Sequence, residues 1–204
     1  MFLVIEGIEG SGKSTLQARL AAQLRLRGSA VTTTREPGGS PLGEDIRALF
    51  LRPGLAVDPV AEAMLVNAAR AQHVATVIRP ALERGELVLC DRFTDSTLAY
   101  QGYGRGLNLT MLAGLCEAAT QGLAPTLTIL LDCTLRLSQE RLGSRGLAAD
   151  RLEAEGEAFH ARVREGFLAL ARASERHLVL DAGDAPERLG ELALARIEGL
   201  TASA

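Results

Sequence analysis

Short runs of apolar residues alternate along the chain with longer stretches in which apolar positions recur at helical spacing. The short runs predict five β-strands, because each consists mainly of Val, Ile, Leu or Thr and ends in a polar or turn-forming residue. The predicted strands are Phe2–Glu6, Ala30–Thr34, Leu87–Asp91, Leu127–Asp132 and His177–Asp181. Buried strands that alternate with helices are typical of right-handed βαβ units, so the pattern predicts an α/β fold around a parallel sheet.

Amphipathic patterning predicts the helices between these strands. In the first helix, Leu16, Leu20 and Leu24 mark the buried face. The predicted helices are Lys13–Arg27, Leu42–Leu51, Asp58–Glu83 with a bend near Pro80, Thr94–Tyr100, Thr110–Gln121, Leu135–Arg145, Arg151–Ala173 and a last helix from Pro186, with a loop at Gly102–Gly106. No Pro- or Gly-rich linker and no internal repeat interrupts the pattern, so residues 1–204 are expected to form one domain with mobile segments on its rim.

Composition narrows the class of protein and its partners. Hydrophobic residues make up 47% of the 204 residues and aromatic residues only 3%, so the core is expected to consist of Leu, Val, Ile and Ala. A net charge of −3 gives no electrostatic reason to expect a nucleic-acid partner. No apolar run approaches the ~20 residues of a membrane span, and no signal peptide precedes the first strand. Together with three cysteines that lack metal-ligand spacing, these features predict a cytoplasmic protein that does not bind membranes.

The turn after the first strand carries the clearest chemical signal. Gly7-Ile-Glu-Gly-Ser-Gly-Lys13-Ser14 fits the P-loop pattern in full, with a strand before it and a helix after it. Its glycines let backbone N–H groups surround a phosphate, Lys13 reaches the β- and γ-phosphates, and the Ser14 hydroxyl binds Mg²⁺. Lys13 is the only lysine in the sequence. The residues expected at the nucleotide are Gly7, Ile8, Glu9, Gly10, Ser11, Gly12, Lys13, Ser14 and Thr15.

A P-loop also requires a carboxylate at the end of a neighbouring strand to organise the metal. Asp91, Asp132 and Asp181 each end an apolar run, and a helix cap or turn is the more common role for such a residue. Asp91 is the preferred candidate because Arg92 follows it directly.

Three classes of P-loop protein compete. A GTPase would need Asn-Lys-x-Asp to recognise guanine, and no lysine outside the P-loop is available for it. A remodelling ATPase usually has basic patches or further domains, for which this short acidic chain has little room. A small phosphotransferase remains, and it needs arginines to neutralise two phosphate-bearing substrates. The candidate arginines are Arg35, Arg70, Arg92, Arg105, Arg145 and Arg151.

A series of short motifs, in order along nearly the whole chain, resembles the thymidylate kinase family, which phosphorylates dTMP with ATP. Besides the P-loop, the matching segments are Arg35-Glu-Pro-Gly-Gly39, Ala68-Ala-Arg70-Ala-Gln-His73, Asp91-Arg92-Phe93, Ser96-Thr-Leu-Ala-Tyr100-Gln-Gly102 and Asp150-Arg151-Leu-Glu153. The resemblance implies a P-loop NTPase three-layer sandwich, with a five-stranded parallel sheet flanked by helices, and the substrates dTMP and ATP with Mg²⁺.

The resemblance also implies roles for individual residues. Arg35 and Arg92 would bind the dTMP phosphate, and guanidinium groups suit bidentate phosphate binding. Arg70 would bind thymine, and Tyr100 would crowd the 2′ position of the sugar. The implied acceptor residues are Glu9, Arg35, Pro37, Val66, Arg70, Arg92, Ser96, Thr97, Tyr100 and Gln101. The implied metal-organising residues are Ser14, Asp91 and Glu9.

A lid segment at about 143–153 is expected to close over the site. The variable positions of the P-loop contain no basic residue, so the chain resembles the bacterial type, in which the lid contributes an arginine to the triphosphate. Arg151 is the first candidate and Arg145 the second. The implied catalytic residues are Lys13, Arg92, Arg151 and Glu9.

One position departs from the family pattern. Many relatives have a phenylalanine that stacks on thymine four residues before the arginine that Arg70 matches, and this chain has Val66 there. Two alternatives therefore stay open: a kinase for another nucleoside monophosphate, and a nucleotide-dependent regulatory ATPase. The resemblance further implies a homodimer, formed through the apolar faces of long helices such as 60–79.

Overall fold

The computed structural model describes residues 1–144, 146 and 149–201. Five strands form an all-parallel sheet in the order β2-β3-β1-β4-β5, which confirms the predicted α/β fold. The strands are β1 (Phe2–Glu6), β2 (Val31–Arg35), β3 (Leu87–Asp91), β4 (Leu127–Asp132) and β5 (His177–Asp181). Four of the five strands have the predicted bounds, and β2 is shifted by one residue.

Helices cover both faces of the sheet. Along β1, alternate side chains enter two different clusters, because successive residues of a strand point to opposite faces. Leu3 and Ile5 pack in the cluster that contains Leu20 of the first helix, whereas Phe2 and Val4 pack in a second cluster. The helices are α1 (Lys13–Leu26), α2 (Pro41–Phe50), α3 (Pro59–His73), α4 (Arg79–Glu83), α5 (Thr94–Thr97), α6 (Leu109–Thr120), α7 (Leu135–Gly143), α8 (Glu157–Arg172) and α9 (Pro186–Thr201). The three-layer arrangement is the predicted one.

Two π-helical segments replace parts of the predicted helices and loops. Segment π1 (Val74–Ile78) joins α3 to α4 just before Pro80, which cannot donate a backbone hydrogen bond. Segment π2 (Leu98–Gly104) continues α5 through most of the predicted loop at Gly102–Gly106. Gly102 packs so closely that an added Cβ would lie 2.4 Å from Cδ2 of Leu109. Glycine is therefore required at position 102 by close helix packing and not by a turn.

The helix predicted from Arg151 begins only at Glu157. Residues 151–155 form turns, in which the Asp150 carboxylate accepts hydrogen bonds from the backbone N–H groups of Leu152 (2.8 Å) and Glu153 (2.9 Å). Of the predicted lid at 143–153, residues 145, 147 and 148 lie outside the described residues.

The central position of β1 determines where the chemistry lies. Strand β1 pairs with β3 on one side and with β4 on the other, so the P-loop leaves the sheet where the chain connections diverge. Such switch points are where open α/β sheets bind ligands. Within the described residues, no helix combines the length and the apolar composition needed to cross a lipid bilayer.

Candidate active site

The P-loop adopts the backbone that its glycines permit. Gly7, Gly10 and Gly12 have φ values of 140°, 72° and 98°, a region that side chains disfavour. A Cβ on Gly7 would also lie 2.5 Å from the carbonyl oxygen of Leu131. Gly12 precedes α1 and caps it with no side-chain bond, so the first N–H groups of that helix stay available to an anion.

Lys13 is buried beneath this loop. Its Nζ donates to the carbonyl oxygens of Gly7 (3.1 Å) and Ile8 (3.0 Å). Burial, reinforced by Arg92, lowers the pKa of Lys13 to about 8 against the opposing effect of nearby carboxylates. A phosphate placed beside this ammonium would therefore favour its charged form.

Ser14 and Asp91 fit a magnesium site. The Ser14 hydroxyl donates to Oδ2 of Asp91 at 3.2 Å, and Oδ1 of Asp91 is buried with no hydrogen-bond partner among the described residues. No group of three or more His, Cys, Asp or Glu side chains suited to a metal occurs in the described part of the chain. Mg²⁺ needs no such cage, since it usually binds through one or two protein oxygens, water and substrate phosphates.

The other two strand-end aspartates are engaged elsewhere. Asp132 accepts two hydrogen bonds from Arg164, at 2.6 and 2.8 Å, and Asp181 accepts one from the backbone of Gly183. Sequence reasoning chose Asp91 from the three, and the structure places it against the P-loop.

Arg92 is held in a constrained conformation directly after β3. Its φ of 72° is unusual for a residue with a side chain. The guanidinium donates to the Gly7 carbonyl (2.9 Å) and to Oε1 of Glu9 (2.8 Å), and it lies 5.1 Å from the centre of the Tyr100 ring. The Tyr100 hydroxyl donates to the same Glu9 oxygen at 2.6 Å. Arg92, Glu9 and Tyr100 therefore form one preorganised group.

Glu9 remains ionised within this group. Burial works to raise the pKa of its carboxyl, but Arg92 and Lys13 outweigh burial and hold the pKa below its usual value. Its Oε2 is buried with no hydrogen-bond partner among the described residues, so one carboxylate oxygen is left for a ligand, water or metal.

A buried carboxylate that sequence reasoning missed supports the Arg92 loop. Glu6 is only 1% exposed, and its Oε1 accepts from the backbone N–H of Phe93 (2.7 Å) and of Ser96 (3.2 Å). Its Oε2 accepts from the Ser96 hydroxyl at 2.6 Å. These bonds join the end of β1 to the loop after β3. A carboxylate ending an otherwise apolar strand was the available sequence signal.

A cavity of about 300 Å³ opens beside the P-loop and forms the candidate acceptor pocket. It is lined by all ten residues that the sequence suggested for the acceptor: Glu9, Arg35, Pro37, Val66, Arg70, Arg92, Ser96, Thr97, Tyr100 and Gln101. Lys13, Ser14 and Asp91 also line it, so the cavity is continuous with the phosphate-binding loop. The individual roles of these residues stay predictions.

Arg70 is fixed by its neighbours at the wall of this pocket. It is 2% exposed, and its guanidinium donates to Glu36 (2.7 Å) and to the carbonyl of Phe93 (2.8 Å). Nη1 donates to Asn67 (2.8 Å) and to Thr97 (2.9 Å). Since a guanidinium has five N–H groups, these contacts leave one Nη2 proton for a ligand.

The sequence analysis also missed Arg47, an arginine that lines the acceptor pocket. It donates to the carbonyl of Pro37 at 3.0 Å. Burial lowers the pKa of Arg47, and Arg35 lowers it further, as expected where positive charges converge. Phe50 and Leu51 line the pocket too, and their spacing from Arg47 along α2 puts all three on one helix face.

A second cavity of about 290 Å³ lies on the other side of the P-loop. Its lining comprises Gly10, Ser11, Gly12, Thr15, Leu16, Arg141, Ala182, Asp184, Pro186 and Leu189. Arg141, which sequence reasoning did not select, donates to the carbonyls of Gly10 (3.2 Å), Ser11 (3.3 Å) and Ala182 (2.9 Å). It therefore joins the P-loop to the segment after β5.

Arg151 does not lie where the sequence placed it. Instead of approaching the triphosphate loop, its guanidinium donates to the carbonyl of Phe50 at 2.8 Å and to the buried carboxylate of Glu62. In this structure Arg151 pairs with an acidic partner on α3, away from the P-loop, and its contact with the triphosphate stays a prediction. Arg145, the second candidate, lies outside the described residues.

The environment of Glu6 generates a test of pH-dependent stability. Burial, reinforced by Asp95, raises the pKa of Glu6 to about 7 from an ordinary 4.5. The folded state therefore binds the proton more tightly, and this contribution to stability is complete below pH 4.5 and lost as the pH rises through about 7. Glu6→Gln removes the charge and keeps one acceptor oxygen for the N–H groups of Phe93 and Ser96, while its NH2 group donates to the Ser96 hydroxyl in place of accepting from it. Its unfolding free energy should therefore rise, relative to that of the unsubstituted protein, by on the order of 1–3 kcal/mol as the pH is raised from 5 to 8.

Urea denaturation of both proteins at pH 5 and at pH 8 measures this difference in unfolding free energy. Glu165→Gln is the control, since Glu165 is exposed on α8 and pairs with Arg172 at the surface. Parallel stability curves for Glu6→Gln and the unsubstituted protein would contradict the assignment.

Comparison with known proteins agrees with this geometry. A family model described as thymidylate kinase matches residues 5–192. A thymidylate kinase of Deinococcus radiodurans is 54% identical over 89% of this chain and 88% of its own length. One from Solidesulfovibrio magneticus is 50% identical over 94% and 95%, respectively. The crystal structure of thymidylate kinase from Ehrlichia chaffeensis superposes with a TM-score of 0.78 at 30% identity, over 97% of this chain and 98% of that one. The chain therefore belongs to the thymidylate kinase family.

Proposed function

We propose that the protein is a cytoplasmic dTMP kinase, which transfers the γ-phosphoryl group of ATP to dTMP. The observation that carries this proposal is the acceptor pocket, where Arg35, Arg47 and Arg92 converge beside the P-loop and Arg70 lies at the wall. Three guanidinium groups suit the phosphate of a nucleoside monophosphate, and a fixed donor suits its base.

The donor nucleotide would occupy the P-loop and the second cavity. Backbone N–H groups at the start of α1 and the ammonium of Lys13 would bind the phosphates. The base would enter the cavity beside Arg141, whose planar guanidinium can stack on an aromatic ring. Ser14 and Asp91 would hold Mg²⁺, with Glu9 available through water, and the bound ion would neutralise phosphate charge.

Catalysis would rest on positioning and electrostatics. Phosphoryl transfer needs little covalent chemistry from the protein, so no enzyme-bound intermediate is required. Lys13 and Arg92 would stabilise the charge that develops on the transferred group. Glu9 would keep Arg92 oriented through their 2.8 Å contact. The buried hydroxyl of Tyr100, held by Glu9, would leave no room for a ribose 2′-hydroxyl.

A panel of monophosphates tests the substrate. With ATP and Mg²⁺, dTMP should give the highest kcat/KM among dTMP, dUMP, dCMP and dGMP. The free Arg70 proton matches the O4 acceptor that thymine shares with uracil and opposes the amino group of cytosine, and the methyl group of thymine adds an apolar contact that uracil lacks. A coupled assay of ADP release measures all four. Lys13→Met should abolish transfer to each of them. Equal turnover of several monophosphates would support the broader kinase, and ATP hydrolysis that is unaffected by any monophosphate would support a regulatory ATPase.

Val66 occupies the position where many relatives have a stacking phenylalanine, and this difference provides a second test. Val66 lines the acceptor pocket and is 7% exposed. An aromatic contact contributes about 0.5–1.5 kcal/mol, so Val66→Phe should lower the KM for dTMP by roughly two- to tenfold. Val66→Leu adds apolar volume without a ring and is the matched control. If both variants change the KM equally, or if Val66→Phe raises it, stacking at this position is excluded.

We also propose that the enzyme is a homodimer, joined through α3 and α6. These helices pack together and expose four large apolar side chains: Val60 (38%), Met64 (59%), Leu109 (40%) and Met111 (44%). An exposed apolar patch on adjacent helices is typical of an association surface.

Met64→Glu should shift the protein towards monomer, because dimerisation would bury an unpaired carboxylate. Sedimentation velocity over a range of concentrations measures the shift. Leu26→Glu is the control, since Leu26 is 81% exposed at the end of α1 and outside the proposed interface. A Met64→Glu protein that sediments like the unsubstituted one would contradict this interface.

A further inference from the structure

Four charged side chains fasten the turn at 151–155 to the body of the protein. We call Glu62, Arg105, Arg151 and Glu155 the charge clamp. Glu62, on α3, has no exposed surface and pairs with both arginines, at 2.9 Å for Arg105. Arg105, which follows π2, also pairs with Glu155 at 2.6 Å. Because Arg151 and Glu155 belong to the same turn, the ion pairs connect that turn twice to α3 and π2.

Arg151 makes further contacts that fix its position. Its Nε donates to the carbonyl of Phe50 at 2.8 Å, and its backbone N–H donates to the carbonyl of Leu51 at 3.2 Å. Its guanidinium also lies 4.9 Å from the centre of the Phe50 ring. Arg151 thus binds the end of α2 and the first turn of α3 together.

The residues next to the clamp are residues of the acceptor pocket. Asp150, Leu152 and Glu153, on either side of Arg151, line the cavity. So do Phe50 and Leu51, whose carbonyls Arg151 binds.

Gln101 makes the link from the other side. It lines the cavity and donates to Oε2 of Glu62 at 3.1 Å. Glu62 itself is not part of the lining. The clamp therefore contacts Gln101, Phe50 and Leu51 from outside the cavity, and it would act on a ligand through them.

The donor side of the site is separate from the clamp. The second cavity, with Arg141, shares no residue with the clamp or with the turn at 151–155. Lys13 donates to P-loop carbonyls that the clamp does not contact. A change in the clamp should therefore affect acceptor binding far more than nucleotide binding.

Burial makes the clamp sensitive to small changes. A carboxylate with no exposed surface depends on its charged partners, and removing Glu62 would leave Arg105 and Arg151 without the carboxylate that they share. An exposed pair such as Arg172–Glu165 has no such dependence, since water solvates each member.

We propose that Glu62 is a positioning residue for the monophosphate: through Arg151 and Arg105 it holds residues 150–153 against the acceptor pocket and thereby sets the affinity for dTMP. This inference rests on the proposed dTMP kinase function. It also gives Arg151 a role on the acceptor side, while the expected role at the triphosphate stays a prediction.

Three variants test the proposal: Glu62→Gln, Arg151→Gln and the double variant. Each single variant should raise the KM for dTMP by about tenfold, with the KM for ATP changed less than about twofold. The double variant replaces the ion pair with two amides that can bond to each other, so its KM should not exceed that of the worse single variant. Glu165→Gln, which breaks the exposed pair, should leave both constants unchanged.

Hydrogen exchange of the ligand-free proteins provides a readout that does not depend on activity. Backbone amides at 149–155 should exchange faster in both single variants, while those of β1 and β3 keep their protection, which shows that the fold is intact. Equal increases in the KM for dTMP and ATP, multiplied effects in the double variant, or unchanged exchange at 149–155 would each overturn the proposal. If the unsubstituted protein does not phosphorylate dTMP, the proposed function fails, and hydrogen exchange still decides whether the clamp holds the turn.

Discussion

The junction between β1 and β3 is the constraint on which the site depends. The two strands run parallel with Ile5 opposite Asp91, so the P-loop and the Arg92 loop leave the sheet at the same edge. The backbone N–H of Arg92 extends this pairing by donating to the Ile5 carbonyl at 2.9 Å. Glu6 adds three side-chain bonds across the same junction. Phosphate-binding loop and acceptor arginine are therefore fixed relative to each other by the sheet itself.

A carboxylate holds each of two arginines of the pocket lining, and another holds Arg151 beside the pocket. Glu9 binds Arg92 and Glu36 binds Arg70, while Glu62 binds Arg151. Such pairs contribute orientation more than stability, because desolvation offsets much of their attraction. Arg47 differs, since it donates to a backbone carbonyl and lies near Arg35. The pocket thus combines arginines whose carboxylate partners fix their geometry with converging positive charge that would attract a phosphate.

Motifs that act through the backbone could be predicted from the sequence. The glycines of the P-loop specify their own conformation, and strand ends such as Asp91 follow from apolar runs. Side chains that depend on a distant partner could not be placed in this way. Arg151 lies in a recognisable motif, but its position is decided by Glu62, 89 residues away in sequence. Arg141 was missed for the same reason, since its helix gives no sign of the loop carbonyls that it binds.

In the proposed enzyme, base selection would follow from how firmly Arg70 is held. Its guanidinium donates to Glu36, Asn67, Thr97, Cys116 and the carbonyl of Phe93, so it cannot turn to suit a different base. A buried donor left unpaired by the wrong base is strongly rejected, whereas one methyl group in an apolar pocket is worth only about 1–3 kcal/mol. Discrimination against cytosine should therefore exceed discrimination against uracil. With Val66 in place of an aromatic, hydrogen bonding carries most of this selectivity, and the network that immobilises Arg70 becomes its physical basis.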